Sequence, residues 1–265
     1  MIIDAHTHVF PEKIARQTVE TLENIGKQRA VIGATACELI NAMNSAGIDK
    51  SVVLPVLTKP QQFESVNNYA QELNKNDRFI TFAGIHPLCE NINKPLDFIV
   101  SCGFKGVKLH PDYQKTDITD DGYIKILEGC RKRRLIVMIH AGIDPASPDH
   151  VHCPPQSAAA VVREVTKDTP FIVLAHFGGA GLLDAVESHL IGLPVYVDTS
   201  FVLDSIERER ACDFIRSHGY SKILFATDSP WRDAKQYLSI IRSLPLNYEE
   251  QSAILGNNCA KLLRL

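Results

Sequence analysis

A (β/α)8 barrel is the architecture predicted by this 265-residue sequence. Eight short aliphatic or β-branched runs recur along it, with segments of helical periodicity between them. From the second run onward their starts fall about 25–35 residues apart, the size of a strand–helix–strand unit. The runs are continuous rather than alternating, as parallel strands buried on both faces are. A doubly wound nucleotide-binding sheet is disfavoured at its first turn, because "MIID" leads into "AHTHVFPE" instead of a glycine-rich phosphate loop.

"MIID" opens the barrel, and the long connection from Val9 to about Asp49 has room for two helices, "PEKIARQTVETLENI" and "ACELINAMNSAG". "KSVVLPV" from Lys50 is the second strand, followed by helical "FESVNNYAQELNK"; "FITFAGI" from Phe79 and "FKGVKL" from Phe104 are the third and fourth. After helical "DGYIKILEGCRKR" come "LIVMI" from Leu135, helical "QSAAAVVREVTK", and "FIVLA" from Phe171. "PVYVD" from Pro194, helical "IERERACDFIRSH" and "KILFA" from Lys222 complete the barrel, and the tail after Tyr248 reads as a closing helix. No linker or composition break divides the chain, so residues 1–265 are expected to form one domain.

Composition narrows the function. A formal net charge of −3, without a Lys/Arg-rich run, gives no basic field for a polyphosphate, so nucleic acid is not an expected partner. The longest apolar stretches fall well short of the ~20 residues of a membrane helix and no signal-like segment opens the chain, so a cytoplasmic protein with no membrane partner is expected. Seven scattered cysteines without a C-x-x-C pair suggest neither a disulfide framework nor a cysteine-ligated zinc site.

In such a barrel the site lies at the carboxyl ends of the strands, so the residues after each run matter most. Strand one ends in His6 and His8, strand three in His86, strand four in Lys108 and His110, strand five in His140, strand six in His176 and strand eight in Asp228. Any one histidine there is more often a hydrogen-bonded core or loop residue than a ligand. The joint pattern shifts the odds, because clustered imidazoles with an acid are costly to bury unless a cation binds them. The strand period of two puts His6 and His8 on one face, so one strand can supply two ligands to one ion. Imidazole with carboxylate suits zinc first, with manganese, iron or cobalt as alternatives.

The segments "IIDAHTH", "GFKGVKLHPDYQ", "IVMIHAG", "VLAHFGG", "VYVDTS" and "ILFATDSPW", in this order, resemble the amidohydrolase superfamily. The resemblance is to its amidohydrolase-related group of TIM-barrel metal-dependent hydrolases, which also contains aromatic-acid decarboxylases. It covers essentially the whole chain, including the closing "ILGNNCAKLL". It implies that His6, His8, His140 and Asp228 are metal ligands, with Asp228 also taking a proton from attacking water. His176 would be a catalytic, substrate-polarising residue in a one-metal site or a ligand in a two-metal site. Lys108 would be either a carboxylated lysine bridging two ions or a plain lysine facing an anionic substrate; one ion is the preferred reading.

Substrate contacts are expected from His110, from Trp231 and from His152. The last lies in the loop "AGIDPASPDHVHCPPQ", which also holds Asp144, His150 and Cys153, although a proline-braced turn explains this loop equally well. Asp4 is expected behind the ligands rather than among them. The expected activity is hydrolysis of an amide, lactone or other ester of a small molecule. The alternatives are non-oxidative decarboxylation of an aromatic or unsaturated acid, and a barrel that binds metal or ligand without catalysis. Self-association as a homodimer is an open expectation.

Overall fold

The computed structural model describes residues 1–167 and 169–265 and realises the predicted barrel. Its strands are β1 (Ile3–Thr7), β2 (Lys50–Val53), β3 (Phe79–Thr81), β4 (Ala83–Gly84), β5 (Gly106–Leu109), β6 (Ile136–Ile139), β7 (Ile172–Leu174), β8 (Tyr196–Asp198) and β9 (Ile223–Leu224). All pair in parallel, in the orders β1-β2-β3 and β4 through β9. β3 and β4 are two halves of one predicted run: β3 pairs with β2, β4 with β5, and Phe82 between them donates its N–H to Val53 O at 3.0 Å. The barrel closes where Ala5 N donates to Phe225 O (2.9 Å) and Asp228 N to His6 O (2.9 Å).

Alternation along the strands sorts side chains into two layers. Val52, Ile80, Phe82, Ile136, Met138 and Val173 belong to one apolar cluster, joined by Cys259 and Leu263 of the closing helix. Val107, Leu109, Val137, Ile139 and Leu174 pack in the other, beneath the surrounding helices. The polar residues at the carboxyl ends of the strands keep the phase: His140 continues Ile136 and Met138, and Lys108, within β5, and His110, just past it, continue Gly106.

The helices are α1 (Glu12–Gly26), α2 (Ala36–Ala46), α3 (Phe63–Leu73), α4 (Asn93–Ser101), α5 (Pro111–Gln114), α6 (Asp121–Arg133), α7 (Pro155–Val165), α8 (Leu183–His189), α9 (Arg208–His218), α10 (Ala234–Ser243), α11 (Tyr248–Ser252) and α12 (Asn258–Leu263). α2 starts at a capping box, in which Glu38 N donates to Thr35 Oγ1 and Thr35 N to Glu38 Oε2. The predicted final helix is α11 and α12 joined by a π-helical turn at Ala253–Asn257. α1, the longest of them at 15 residues, buries only Ala15. Among the described residues no helix is long and apolar enough to cross a membrane, and all seven cysteines are free.

The loop after β6 is fixed by Gly142. Its φ is +91°, and a Cβ there would lie 2.1 Å from Ala180 N, in the bridge that ties this loop to the turn after β7. Gly142→Ala is therefore expected to lower stability by at least about 2 kcal/mol, from backbone strain and steric overlap together. Urea unfolding measures this, and an unchanged midpoint would show that the turn relaxes freely.

Candidate active site

The ends of the first and last barrel strands are laced together. His8 N donates to Ser229 O at 2.7 Å, beside the Asp228 N to His6 O bond. Below them Asp4 accepts the Thr227 hydroxyl (2.6 Å), Thr227 N (3.0 Å) and His6 N (3.2 Å). Burial raises the Asp4 carboxyl to about 7 despite these bonds. Asp4 thus braces the strands that carry His6 and Asp228 from one layer behind them.

This lacing brings three predicted ligands to one point. His6 Nε2 lies 3.1 Å from His8 Nε2 and 3.3 Å from Asp228 Oδ1, and His8 Nε2 lies 3.2 Å from the same oxygen. The opposite ring nitrogens fix the tautomers. His8 Nδ1 is 2.7 Å from Leu54 O, a carbonyl that can only accept, and His6 Nδ1 is 2.9 Å from Asp198 Oδ2. Both Nδ1 atoms therefore donate, and both Nε2 lone pairs face each other and a carboxylate oxygen. Three electron-rich atoms at that spacing repel one another unless a cation lies among them, so the donor set fits a divalent metal ion of nitrogen and oxygen preference. Burial, with the nearby Lys108 charge, holds the His6 imidazole well below its usual basicity. Burial alone would raise the Asp228 carboxyl, and only positive charge on the imidazoles of His6, His8 and His176 brings it down to about 2, so the carboxylate too calls for a cation at this point.

Lys108 sits beside this group, fully buried, with Nζ 3.1 Å from His6 Nε2. Burial pushes its pKa down to about 8 against the pull of Asp228, Asp198 and Asp144. A lysine so placed has an appreciable neutral fraction near pH 7, the form with a lone pair to offer.

His140 and His176 meet separately: His176 Nε2 is 3.1 Å from His140 Nδ1. His176 comes after the inward-facing Ala175, so simple alternation would turn it outward. A left-handed φ of 59° re-aims it, while Asp228 has φ 63° and Phe201 φ 62°. Such angles are uncommon outside glycine and cost about 1–3 kcal/mol each, and the surrounding hydrogen bonds hold them. On its far side His140 Nε2 has no hydrogen-bond partner and faces Asp144 Oδ2 (3.7 Å) and Asp112 Oδ2 (3.8 Å). His140 thus groups with His110 and Asp144, while His6 converges with His8 and Asp228 on one side and with His176 and Asp198 on another.

Both groups open into one cavity of about 240 Å³. His110 lines it, stacked on His140 with ring centroids 4.1 Å apart and on Tyr113 at 3.9 Å. Lys108, Asp144 and Trp231 line it too. His152 does not, contrary to expectation, because its Nδ1 is held 3.0 Å from the buried Asp112 Oδ1, which draws the ring away from the cavity. His150 pairs with Asp117 at 2.6 Å, and Cys153 is fully buried, its thiol pushed up by that burial. His86 lies outside the lining as well; its Nδ1 accepts Leu88 N at 3.2 Å.

Sequence reasoning assigned no role to Asp198, Ser200 or Asp112. Asp198 is the hub. It takes the His6 Nδ1–H on Oδ2, and on Oδ1 accepts His176 N (2.9 Å), Ser200 N (3.0 Å) and the Ser200 hydroxyl (2.5 Å). Because Ser200 spends its proton on Asp198, its oxygen accepts from His176 Nδ1 at 2.9 Å, leaving the His176 Nε2 lone pair for the site. The signal was present, since "VYVDTS" ends the seventh run in an acid as "FATDSP" ends the eighth.

Similar solved structures span nearly the whole chain. A 2,6-dihydroxybenzoate decarboxylase from Rhizobium is 15% identical, with a TM-score of 0.72 over 99% of this chain and 98% of that one. A dihydroxybenzoic acid decarboxylase from a Polaromonas species, solved with manganese and 2-nitroresorcinol, is 14% identical, with a TM-score of 0.72 over 100% and 97%. A Pseudomonas putida protein proposed to be a 2-pyrone-4,6-dicarboxylic acid hydrolase is 17% identical, with a TM-score of 0.70 over 99% and 97%. At these identities the likeness speaks for the barrel fold. No curated protein matches the chain. Residues 3–265 match the family described as amidohydrolase, and the chain belongs to that family.

Proposed function

We propose that this protein is a metal-dependent hydrolase of a small molecule carrying an amide, lactone or other ester bond. The observation that carries the proposal is the convergence of His6 Nε2, His8 Nε2 and Asp228 Oδ1, lone pairs inward, at the floor of a cavity. These residues would hold a divalent ion, zinc or manganese foremost. Such an ion would supply Lewis acidity, drawing the pKa of water from about 16 towards about 7. The chain's own groups do the rest. Asp228, ionised at neutral pH, accepts the proton of the attacking water and returns it to the leaving group. His176, its Nδ1 tied to Ser200 and its imidazole kept neutral by burial, turns the Nε2 lone pair toward the cavity, where it accepts a hydrogen bond from a substrate N–H or O–H. Lys108 and Asp144 set the charge around the polar end of the substrate.

Decarboxylation is the second reading. It is supported by the decarboxylases among the similar folds and by aromatic residues on the cavity wall, with Tyr113, Phe201 and Trp231 able to face a planar acid. Turnover in ¹⁸O-labelled water, with and without prior chelation, separates the two. Hydrolysis puts one label into the acid product and stops on metal removal; metal-dependent CO2 release without label incorporation would replace this proposal by the second reading.

A further inference from the structure

The outer half of the cavity differs in chemistry from its floor. Among its described lining residues the only lysine or arginine is Lys108, deep beside His6, and the acids Asp144 and Asp228 lie at that same end. Towards the mouth the wall is formed by Leu22 and Ile25 of α1, Ile143 of the loop after β6, and Trp231. The polar members there, Thr18, Gln28 and Thr58, are neutral. Thr18, Leu22 and Ile25 fall at helical spacing on one face of α1, the helix that buries only Ala15 in the protein. Ile25 and Ile143 are 44% and 43% exposed, so apolar surface at the mouth stays in water that a bound molecule could displace.

We infer that the substrate has a single polar head, which enters the histidine–aspartate floor, and an uncharged aliphatic or aromatic tail that packs between α1 and Ile143. The head rests on the proposed metal centre, and the tail on the wall alone. A second carboxylate on the tail is rejected, since no cation on the wall would compensate its desolvation.

Straight-chain acyl hydroxamates, titrated by calorimetry against the zinc-loaded protein, test the whole arrangement. From acetohydroxamate to octanohydroxamate, affinity should rise about fourfold for each methylene the wall covers. Leu22→Ala with Ile25→Ala, and separately Ile143→Ala, should flatten that rise while leaving acetohydroxamate binding unchanged. These side chains lie at the mouth, outside the fully buried core, so the fold is expected to persist. An ω-carboxylate at the end of the long tail should remove the gain. Affinity independent of tail length, a rise that survives all the wall variants, or equal binding of the ω-carboxylate would overturn the inference while leaving the metal reading intact.

Failure of every hydroxamate to bind would instead count against the metal reading. The tail site is therefore read separately, by titrating n-hexanol into metal-free protein and following the methyl resonances of Leu22, Ile25 and Ile143. Saturable shifts of these methyls are expected, and their absence would refute the tail site on its own.

Discussion

Asp228→Asn is expected to lower turnover by about 10²–10⁴-fold, the loss that accompanies removal of a positioned general base. The substitution keeps the shape and one oxygen that can face His6 and His8, but an amide cannot accept the proton of water. Asparagine is also among the few residues that tolerate the left-handed backbone found here, with φ 63°, so Asp228 N should still donate to His6 O. The measurement combines kcat with metal content and thermal unfolding of the variant. Folded protein that keeps bound metal and loses activity supports the assignment. Turnover within tenfold of the native protein would move the proton-accepting role elsewhere, with His176 the first candidate.

Much of this arrangement was readable in the chain. Parallel barrel strands are buried on both faces, so "LIVMI" or "FIVLA" announces itself without periodicity, and the polar residues at the end of each run stand out directly. His6, His8 and Asp228 were legible because two mechanisms place them: the strand period for the pair, and the closure of the barrel for the acid. The features that stayed hidden depend on details that spacing does not encode. His176 was expected at the site, but the left-handed backbone that aims it there was not readable, and His152 is withdrawn by Asp112, which lies in the short α5 that no periodicity announces. The split between β3, which pairs with β2, and β4, which pairs with β5, is likewise invisible in a single apolar run such as "FITFAGI".

The hub role of Asp198 was hidden for a further reason. Its side chain is not among the described residues that line the site cavity, so nothing about it resembles a site residue, yet it decides which nitrogen of two histidines faces the centre. His6 Nδ1 must donate because Asp198 accepts, and His176 Nδ1 donates to Ser200 because the Ser200 proton is committed to Asp198. The chemistry of the lone pairs at the floor is thus set one layer behind it, as is common around metal-binding histidines.

Asp198→Ala and Asp198→Asn should therefore fail in different ways. Alanine leaves four buried donors without their acceptor: His6 Nδ1, His176 N, Ser200 N and the Ser200 hydroxyl. At about 1–3 kcal/mol for each stranded group, even with partial relaxation, a loss of about 4 kcal/mol or more is expected. That is a large share of the ~5–15 kcal/mol that keeps a typical domain folded, and the urea midpoint should fall accordingly. Asparagine keeps one acceptor oxygen for the His176 and Ser200 donors but turns an amide N–H toward His6 Nδ1. His6 then relieves the clash by moving its proton to Nε2, where it points at His8 and Asp228 and blocks the lone pair. The Asn variant is expected to fold and to bind zinc about 10–100-fold more weakly in calorimetric titration, the usual cost of losing a carboxylate behind a histidine ligand. Native-like zinc affinity in Asp198→Asn would mean that His6 does not use its Nε2 lone pair for the ion, and the donor set would have to be rebuilt around His8 and Asp228.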